Sequence, residues 1–411
     1  MKKRILITMY DMEIGGAERS LINMLNTFDY DQYEVDLFIC HHVGEFMKLI
    51  PAQVNILPEV KAYTTFRKSI KQSIQDGYLI IPAIRVISKL IGNKMAHKYG
   101  FHEGSGYIEM QLVSKYAMRV LPYFQKEYDV AISYAWPHDI VASKVQAKKK
   151  IAWIHTDYST LEVQRAIDLE MWSKFDCIVA VSEECKNAFL TAYPELIEQV
   201  MVIENITSPQ FIKDMSCEDV ELPLQKNGDF YLVSVGRLSH AKGFDNAIQA
   251  LRLLHNKGYT NIKWYVVGYG GEEKALRQLI HGTNLENSFV LLGKQLNPYP
   301  YIQACDLYVQ PSRYEGKAVT VTEAKILGKP ILITNYPTAN SQLEHQLEGI
   351  ICQGSVGALA EAIEGLYLQS ELREKLSRYV TSRDYSNSYE LNKLYDMMNR
   401  SSLTRREVQY G

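Results

Sequence analysis

Short apolar runs of strand length alternate with segments of helical spacing along most of the chain. The apolar run "RILITMY" (residues 4–10) is followed by a segment in which Leu21, Met24, Leu25 and Phe28 share one helix face. Similar apolar runs follow as "YEVDLFICHH", "DVAISYAW", "KKIAWIHT", "DCIVAVS" and "QVMVIENI". A strand that is covered on both faces of a parallel sheet is apolar throughout. The pattern therefore predicts an α/β fold in which crossover helices join parallel strands.

The alternation stops between residues 204 and 229, where two prolines stand in a stretch without sustained periodicity, and then resumes. The sequence thus predicts two Rossmann-like, doubly wound parallel-sheet domains that face each other across a cleft. We expect a first domain at 1–205, a linker at 206–228, a second domain at 229–385 and a C-terminal helix and tail at 386–411, which can return to the first domain. Ligands of such sheets bind beyond the carboxyl ends of the strands, so the loops there are the places to look for a site.

Composition narrows the class of protein. The chain has 411 residues, which is long for a single core, and its net charge of −2 argues against a nucleic-acid partner. None of the six cysteines forms a Cys-x-x-Cys pair, so we expect reduced thiols and no zinc or redox motif. The first apolar run is too short for a signal peptide, and no run has the length of a transmembrane helix. We therefore expect a cytoplasmic protein.

Two loops after predicted strands contain groups that suit anions. Gly15 and Gly16 form a turn that opens a helix, where backbone N–H groups can approach a negatively charged ligand. Arg237 and Lys242 stand between a strand and a helix, and two cations there would suit a diphosphate. The alternatives are an ordinary tight turn in the first loop and solvated surface charges in the second.

Two glutamates flank the start of a later helix. The strand "DLYVQPS" leads into a loop with Glu315, and the helical segment "TVTEAKILG" contains Glu323. Such carboxylates would bind hydroxyl groups, as in a sugar and a ribose, while the intervening N–H groups and the helix dipole would favour phosphates. The alternative is that Glu323 is a favourable first-turn acid and Glu315 a loop charge.

One histidine of the first domain is a further candidate. His155 ends the predicted strand "KKIAWIHT". A single histidine is more often structural than catalytic, but the carboxyl end of a strand is where ligands bind. His155 is therefore a candidate for contact with a ligand in the predicted cleft.

Together these residues resemble the retaining glycosyltransferases of the GT-B fold, in particular bacterial glycosyltransferase family four. The similarity is strongest from Phe230 to Ile351, where "VGRLSHAKG", "VVGYGGEEKALRQLI", "VLLGK" and "ACDLYVQPSRYEGKAVTVTEAKILGKPIL" occur in the family's order. The resemblance implies transfer of a hexose from a nucleotide-sugar, preferentially a UDP-sugar, to a hydroxyl of a glycan or lipid-linked glycan, with retained configuration. The first domain would bind the acceptor. The Glu-Gly-Lys sequence of the donor loop resembles that of capsule and exopolysaccharide enzymes.

The resemblance also implies roles for individual residues. Glu315 matches the family's contact to the donor sugar, Glu323 its contact to the ribose, and His155 a histidine near the transferred sugar. The implied catalytic residues are Glu315, His155, Arg237 and Lys242. The implied donor-binding residues are Gly15, Gly16, Arg237, Lys242, Gly316, Lys317, Ala318, Val319 and Glu323. Lys317 and Ala318 depart from the residues that are common in the family, which leaves the identity of the sugar open.

The predicted chemistry needs no metal or other cofactor. No Asp-x-Asp motif stands out, and two cations at the diphosphate would replace a metal ion. The family's usual mechanism uses the leaving diphosphate itself to help deprotonate the acceptor. The alternatives are a nucleotide-sugar epimerase or a phosphorylase on the same fold, or a non-catalytic subunit that binds a nucleotide-sugar.

Residues 61–98 contain eight lysines or arginines and a single acid, Asp76. The apolar residues with helical spacing are Ile80, Ala83, Ile84, Ile87 and Ile91. Arg85 and Lys89 fall on the other side. A basic amphipathic helix of this kind can lie on an anionic membrane surface, here the inner membrane face. An equal alternative is an ordinary helix that packs its isoleucines into the first domain.

Overall fold

The computed structural model describes residues 2–101, 105–156, 158, 161–218, 228–315 and 318–400. The chain divides into two compact units. Unit 1 comprises Met1–Thr207 and Asn387–Gly411, and unit 2 comprises Ser208–Ser386.

Unit 1 is built on a parallel sheet. Its strands in the described residues are β1 (Lys3–Met9), β2 (Tyr33–Ile39), β3 (Asn55–Ile56), β4 (Tyr128–Ser133), β5 (Ala147–Ile154), β6 (Cys177–Ala180) and β7 (Val200–Val202). Its helices up to that point are α1 (Gly16–Thr27), α2 (Lys61–Thr64), α3 (Ile70–Gln75), α4 (Ile80–Tyr99), α5 (Gly106–Ala117), α6 (Asp139–Lys144), α7 (Arg165–Trp172) and α8 (Glu183–Ala192). Short 3-10 helices occupy Glu45–Leu49 and Pro194–Gln199.

Unit 2 repeats this plan. Its strands in the described residues are β8 (Phe230–Val235), β9 (Ile262–Val267), β10 (Phe289–Gly293), β11 (Leu307–Gln310), β12 (Ile331–Thr334) and β13 (Ile350–Cys352). Its helices are α9 (Pro209–Ser216), α10 (Phe244–Asn256), α11 (Glu273–Gly282), α12 (Tyr299–Ala304), α13 (Val319–Ile326), α14 (Ala339–Gln342), α15 (Val356–Leu368) and α16 (Ser370–Thr381), with a 3-10 turn at His240–Lys242. The last helix, α17 (Glu390–Asn399), belongs to unit 1.

The order of the strands defines where each sheet can bind a ligand. The sheet of unit 1 has the order β3-β2-β1-β4-β5-β6-β7, and the sheet of unit 2 has the order β10-β9-β8-β11-β12-β13. All pairs are parallel, so the chain winds outward in both directions from β1 and β4 and from β8 and β11. These two points are the topological switch points, where a crevice opens beyond the carboxyl ends of the strands. The predicted pair of Rossmann-like, doubly wound domains is confirmed.

Burial explains why these runs are strands. Every residue of β8 is buried, as are the last five of β1. The helices cover both faces of each sheet, and strands in that position must be apolar throughout. Side-chain caps start several helices, as at Ser182, whose hydroxyl accepts a hydrogen bond from the backbone N–H of Cys185.

The segment that was predicted as a linker contains helix α9. Pro209 stands at its first position and Ser208 caps it by accepting from the N–H of Phe211. The helix packs against α12 and α13 of unit 2. Residues 219–227 of that segment and residues 401–411 of the predicted tail lie outside the described residues.

Helix α4 exposes Ile80, Ile87 and Ile91, so the alternative in which this stripe of isoleucines packs into unit 1 is wrong. Its buried residues are Ile81 and Pro82 in the first turn and then Ser88, Gly92 and Ala96, which are spaced four residues apart. A Cβ on Gly92 would lie 3.5 Å from the backbone nitrogen of Glu109 in α5. Small side chains at the contact therefore let α4 and α5 approach closely, and most of the large aliphatic side chains of α4 face outward. None of the helices in the described ranges combines the length and apolar character needed to cross a bilayer.

Candidate functional site

Two loops of unit 2 meet at the switch point between β8 and β11. The loop after β8 contains Arg237 and Lys242, and the loop after β11 contains Glu315. Because β8 and β11 are paired neighbours, their carboxyl ends lie side by side. The Nζ atom of Lys242 is 2.5 Å from Oε1 of Glu315. The fold thus joins two of the predicted catalytic residues in an ion pair.

A polar network holds the Glu315 carboxylate by one oxygen. Besides Lys242, Ser312 Oγ donates to Oε1 at 2.6 Å and Gln310 Nε2 donates to it at 3.0 Å. Gln310 is oriented in turn by the hydroxyl of Tyr308, which donates to its Oε1 at 2.7 Å. Among the described residues no donor reaches Oε2 of Glu315. That oxygen is placed to accept a hydrogen bond from a ligand hydroxyl.

Gly243 and Arg313 fix the two loops to each other. Gly243 has φ +66°, and a Cβ there would lie 2.2 Å from the carbonyl oxygen of Pro311. The Arg313 guanidinium binds both carboxylate oxygens of Asp245, at 2.7 and 2.6 Å. Its backbone N–H donates to the carbonyl of Ala241 at 2.8 Å. These contacts hold Lys242 and Glu315 in place before any ligand binds.

The two cationic side chains of the site, Arg237 and Lys242, differ in exposure and in ion pairing. Arg237 is exposed, and the described part of the chain supplies no ion-pair partner for it. Lys242 is mostly covered, and its stem lies over Gly236, where a Cβ would be 3.3 Å from Cδ. An anion arriving here would find the full guanidinium of Arg237 and an ammonium that it must share with Glu315.

Glu323 is the most buried of the predicted site residues. Only 1% of it is exposed, and the hydroxyl of Tyr299 donates to its Oε1 at 2.9 Å. It lies in α13, which begins at Val319 close behind the Glu315 loop in sequence. A buried carboxylate that accepts a hydrogen bond is held in one orientation, as recognition of a ribose diol would require.

The loop between the two glutamates is partly described. Gly316 and Lys317, both predicted to bind the donor, lie outside the described residues. Ala318 is buried, and its N–H donates to Oε1 of Gln342 at 2.7 Å. This amide is therefore engaged within the protein, whereas it was expected to bind the donor. The carbonyl of Glu315 accepts from the Thr338 hydroxyl at 2.8 Å, which ties the loop to the start of α14.

A cavity of about 300 Å³ lies in unit 1 beyond the carboxyl ends of β1, β4 and β5. Trp136, Trp153 and Trp172 give it a largely aromatic wall. Asp11 and Arg67 add one ion pair, with Oδ2 and Nη1 separated by 2.8 Å. Aromatic faces together with a few polar groups are the usual lining of a small-molecule site.

His155 lies in the wall of this cavity. Its Nε2 is 3.0 Å from the carbonyl oxygen of Tyr134. Because a carbonyl can only accept, Nε2 donates and Nδ1 of the neutral ring remains an acceptor. Burial lowers the pKa of His155 to about 4 and that of the neighbouring His138 to about 3. Both rings are therefore neutral near pH 7.

The Gly-Gly turn after β1 is partly occupied by the protein's own carboxylate. Gly15 caps α1, and a Cβ on it would lie 2.1 Å from Oε2 of Glu18. Burial raises the pKa of Glu18, a residue that the sequence analysis did not single out. Gly16 is exposed with open space beside it, so nothing in its surroundings requires glycine. An anion at this helix start would compete with Glu18.

Several site residues were missed in the sequence. Gln310 and Ser312 hold Glu315, and Gln342 takes the amide of Ala318. The only signal for the first two was their polarity at the end of the apolar run "DLYVQPS". Among the described residues no three potential metal-ligating side chains lie together, and independence of metal stays a prediction.

Comparison with solved structures defines the fold. The crystal structure of HepE from Anabaena in complex with UDP and glucose matches with a TM-score of 0.62. The match covers 98% of this chain and 100% of that chain at 18% identity. With its two doubly wound units, this chain has the GT-B fold of glycosyltransferases.

The sequence of unit 2 is similar to that of known glycosyltransferases. Residues 219–383, which are less than half of the chain, match the family model described as glycosyl transferases group 1. The chain is 26% identical over 208 residues to an uncharacterized glycosyltransferase of Methanocaldococcus jannaschii, covering 49% of this chain and 51% of the relative. It is 27% identical over 206 residues to the capsular polysaccharide biosynthesis glycosyltransferase CapM of Staphylococcus aureus, covering 48% and 54%. The chain spans about half the length of the curated relatives it matches.

Proposed function

We propose that this protein is a retaining glycosyltransferase that transfers a hexose from a UDP-sugar to a hydroxyl of a glycan. The ion pair between Lys242 and Glu315 at the switch point of unit 2 is the observation that supports it most directly. It combines a cation for a phosphate with a carboxylate for a sugar hydroxyl at the edge where such sheets bind nucleotides. The UDP bound in HepE and the capsule assignment of CapM support the choice of donor and pathway.

The donor would be held by groups of opposite character. Arg237 and Lys242 bind the diphosphate, and Glu323 accepts hydrogen bonds from the ribose. Glu315 uses Oε2 for a hydroxyl of the hexose, since its Oε1 is engaged by Lys242, Ser312 and Gln310. Because Glu315 lies 2.5 Å from Lys242, it also holds that ammonium in position.

The reaction breaks one bond and forms one. The bond between the anomeric carbon and the β-phosphate oxygen breaks, and its electron pair leaves with UDP. A bond forms between the same carbon and the acceptor oxygen, on the face that UDP leaves, and the acceptor proton passes to the departing phosphate. Arg237 and Lys242 stabilise the charge that develops on that phosphate, so no metal ion is required.

The cavity of unit 1 would receive the acceptor. Neutral His155 offers Nδ1 as an acceptor for a sugar hydroxyl, and the tryptophan faces offer apolar surface to a sugar ring. Because burial keeps the ring of His155 neutral near pH 7, we assign it to binding and orientation rather than to proton transfer.

The test is hydrolysis of nucleotide-sugars without added acceptor, followed as release of the nucleoside diphosphate. A panel of UDP-, GDP- and ADP-sugars should show release from a UDP-sugar, with UDP-glucose, UDP-galactose and UDP-N-acetylglucosamine tried first. NMR of the released sugar at early times should show the anomer of the donor. The Lys242→Ala variant gives the background. Release should persist in EDTA, and its loss would refute the metal-free mechanism.

The same assay separates the alternatives. An epimerase would hydrolyse or isomerise the donor to the epimer of its sugar, which the NMR spectra of the sugar would show, and a phosphorylase would need inorganic phosphate. A non-catalytic binding subunit would bind UDP in calorimetry yet release nothing from any donor. Each of those results would overturn the proposal.

A further inference from the structure

Helix α4 of unit 1 presents a broad aliphatic face to solvent. We define the aliphatic face as Leu79, Ile80, Val86, Ile87, Leu90 and Ile91. Ile80, Ile87 and Leu90 are 60%, 55% and 65% exposed, and the other three are exposed as well. Single exposed aliphatic residues are ordinary, but six within thirteen positions on one helix form a contiguous patch, which marks an interaction site.

The packing of α4 shows that this face is a stable feature of the fold. Ser88, Gly92 and Ala96 form the opposite side, and Ala96 packs with Ile108 and Leu112 of α5. Turning the isoleucines inward would place large side chains where a Cβ on Gly92 already comes within 3.5 Å of α5. The helix therefore cannot bury the aliphatic face by rotating about its axis.

The charges around this face are mostly positive. Lys71, Lys89, Lys94 and Lys98 are exposed, and the residues that the structure describes supply no acidic partner for any of them. The single acid of the segment, Asp76, is 3.1 Å from Lys68. Lys94 and Lys98 occupy the last two turns of α4, beyond the aliphatic residues.

Arg85 does not belong to this basic set, although it was predicted to lie with Lys89 on the basic side of the helix. Its guanidinium donates to the carbonyl oxygens of Thr65 and Lys68, at 2.9 and 2.5 Å. It therefore fastens α4 to the turn before α3, and its replacement would report on folding rather than on a surface.

We propose that the aliphatic face of α4 inserts into the interface of an anionic lipid surface, with Lys94 and Lys98 at the headgroups. An apolar helix face bordered by lysines matches such an interface in both hydrophobicity and charge. A second copy of this chain is a poorer occupant. A symmetric dimer places the same patch on both sides and would bring the lysines of one copy towards those of the other.

This placement gives the proposed function a substrate class. Helix α5 packs against α4 on one side and lines the cavity of unit 1 with Tyr107, Met110 and Gln111. A lipid surface at α4 would thus lie one helix away from the cavity. If the cavity receives the acceptor, as the proposed function requires, that acceptor is a glycan carried on a lipid.

Co-sedimentation with vesicles tests the docking directly. The full chain should bind vesicles that contain phosphatidylglycerol, and bind vesicles of phosphatidylcholine alone far less. The double variant Ile87→Glu, Leu90→Glu should lose binding at least about tenfold, because two buried aliphatic side chains are removed from the interface. The double variant Lys94→Glu, Lys98→Glu should bind the vesicles about fivefold more weakly for each lysine replaced, at low salt.

Matched controls come from exposed residues elsewhere. Ile197→Glu, at a position 59% exposed in unit 1, should bind vesicles like the wild type. Lys274→Glu, Lys375→Glu changes the net charge by the same amount on exposed positions of unit 2 and should also leave binding unchanged.

Two results would overturn the inference. One is absence of binding to phosphatidylglycerol vesicles at low salt. The other is a dimer in sedimentation velocity that Ile87→Glu, Leu90→Glu dissociates, since a second copy would then cover the face. UDP affinity of the aliphatic-face variants should equal that of the wild type. Failure of the docking is thereby distinguished from failure of the proposed function, in which UDP would not bind the wild type either.

Discussion

The two candidate sites of this chain lie at equivalent places in sheets of the same strand order, yet their chemistry is opposite. The site of unit 2 is an ionised cluster in which Lys242 and Glu315 neutralise each other. The cavity of unit 1 is largely aromatic around one ion pair, and burial keeps its two histidines neutral, with the pKa of His155 lowered to about 4 and that of His138 to about 3. The fold therefore decides where a ligand can bind, and the loop side chains decide whether charge or apolar surface recognises it.

The largest expected effect concerns the charged site. Lys242→Ala should weaken UDP binding by about 2–5 kcal/mol, because a desolvated phosphate contact loses its counter-charge and Glu315 is left beside the anion. Calorimetry measures the affinity, and thermal unfolding should change little. Lys257→Ala, which removes an exposed ion pair to Glu364 in the same unit, is the control and should bind UDP normally. Equal affinities of Lys242→Ala and wild type would remove the charged site from donor binding.

The burial of His155 in the unit 1 cavity predicts a pH effect on stability of roughly 3 kcal/mol. The pKa of His155 is about 4 in the fold against 6.5 as the ordinary value, so below pH 6.5 the unfolded chain binds a proton that the folded chain refuses. The wild type should lose this stability as pH falls from 6.5 towards 4, and His155→Gln should not. Urea unfolding of both proteins measures the difference. The difference in unfolding free energy between the two proteins should stay constant between about pH 7 and 8. A difference that does not change on acidification would show that the ring is not held neutral.

The preformed geometry of the charged site predicts that Gly243 cannot be replaced. Gly243→Ala should destabilise unit 2 by about 2 kcal/mol, through strain at positive φ and overlap with the Pro311 carbonyl, and should weaken UDP binding. Gly258→Ala is the matched control, since its φ is also positive at +99° but its Cβ would meet open space. It should cost about 1 kcal/mol and leave UDP affinity unchanged. Equal losses of stability and equal UDP affinities in the two variants would mean that the contact between the two loops contributes to neither.

The smallest effect separates the two glutamates of the charged site. Glu323→Gln should weaken binding of UDP itself by about 1 kcal/mol, because an amide accepts weaker hydrogen bonds from a ribose than a carboxylate does. Glu315→Gln should leave UDP affinity nearly intact and lower the rate of donor hydrolysis. Calorimetry with UDP and the release assay give the two readouts. If both variants lose the same UDP affinity, the division between ribose and hexose is wrong.

The sequence predicted where the charged site lies, but not which residues hydrogen-bond within it. Arg237, Lys242 and Glu315 follow apolar runs, so their positions at strand ends could be predicted from periodicity. Gln310, Ser312 and Gln342 could not, because hydrogen-bonding partners depend on distances between loops that the sequence does not encode locally. Glu18 was missed for the same reason, since only the structure places its carboxylate over Gly15.

For α4, hydrophobic periodicity predicted the helix correctly but did not determine which of its faces is buried. Both readings of the isoleucine stripe predict a helix, and α4 spans Ile80–Tyr99. The small residues Ser88, Gly92 and Ala96 are spaced four positions apart in the sequence, and this spacing indicates the side of α4 that packs against α5. Burial of small residues gains little apolar area but allows two helix backbones to approach, and that contact with α5 decided the orientation.

The sequence by itself determined the strands, the two doubly wound units and the strand ends at which charged residues stand, because these follow from local periodicity and from the apolar character of doubly covered strands. Only the tertiary structure decided which of these residues meet. Lys242 and Glu315 are 73 positions apart, and they touch because β8 and β11 pair across the switch point. The tertiary structure also set the charge state of the unit 1 cavity, since desolvation of His155 depends on the aromatic wall that several distant elements build around it.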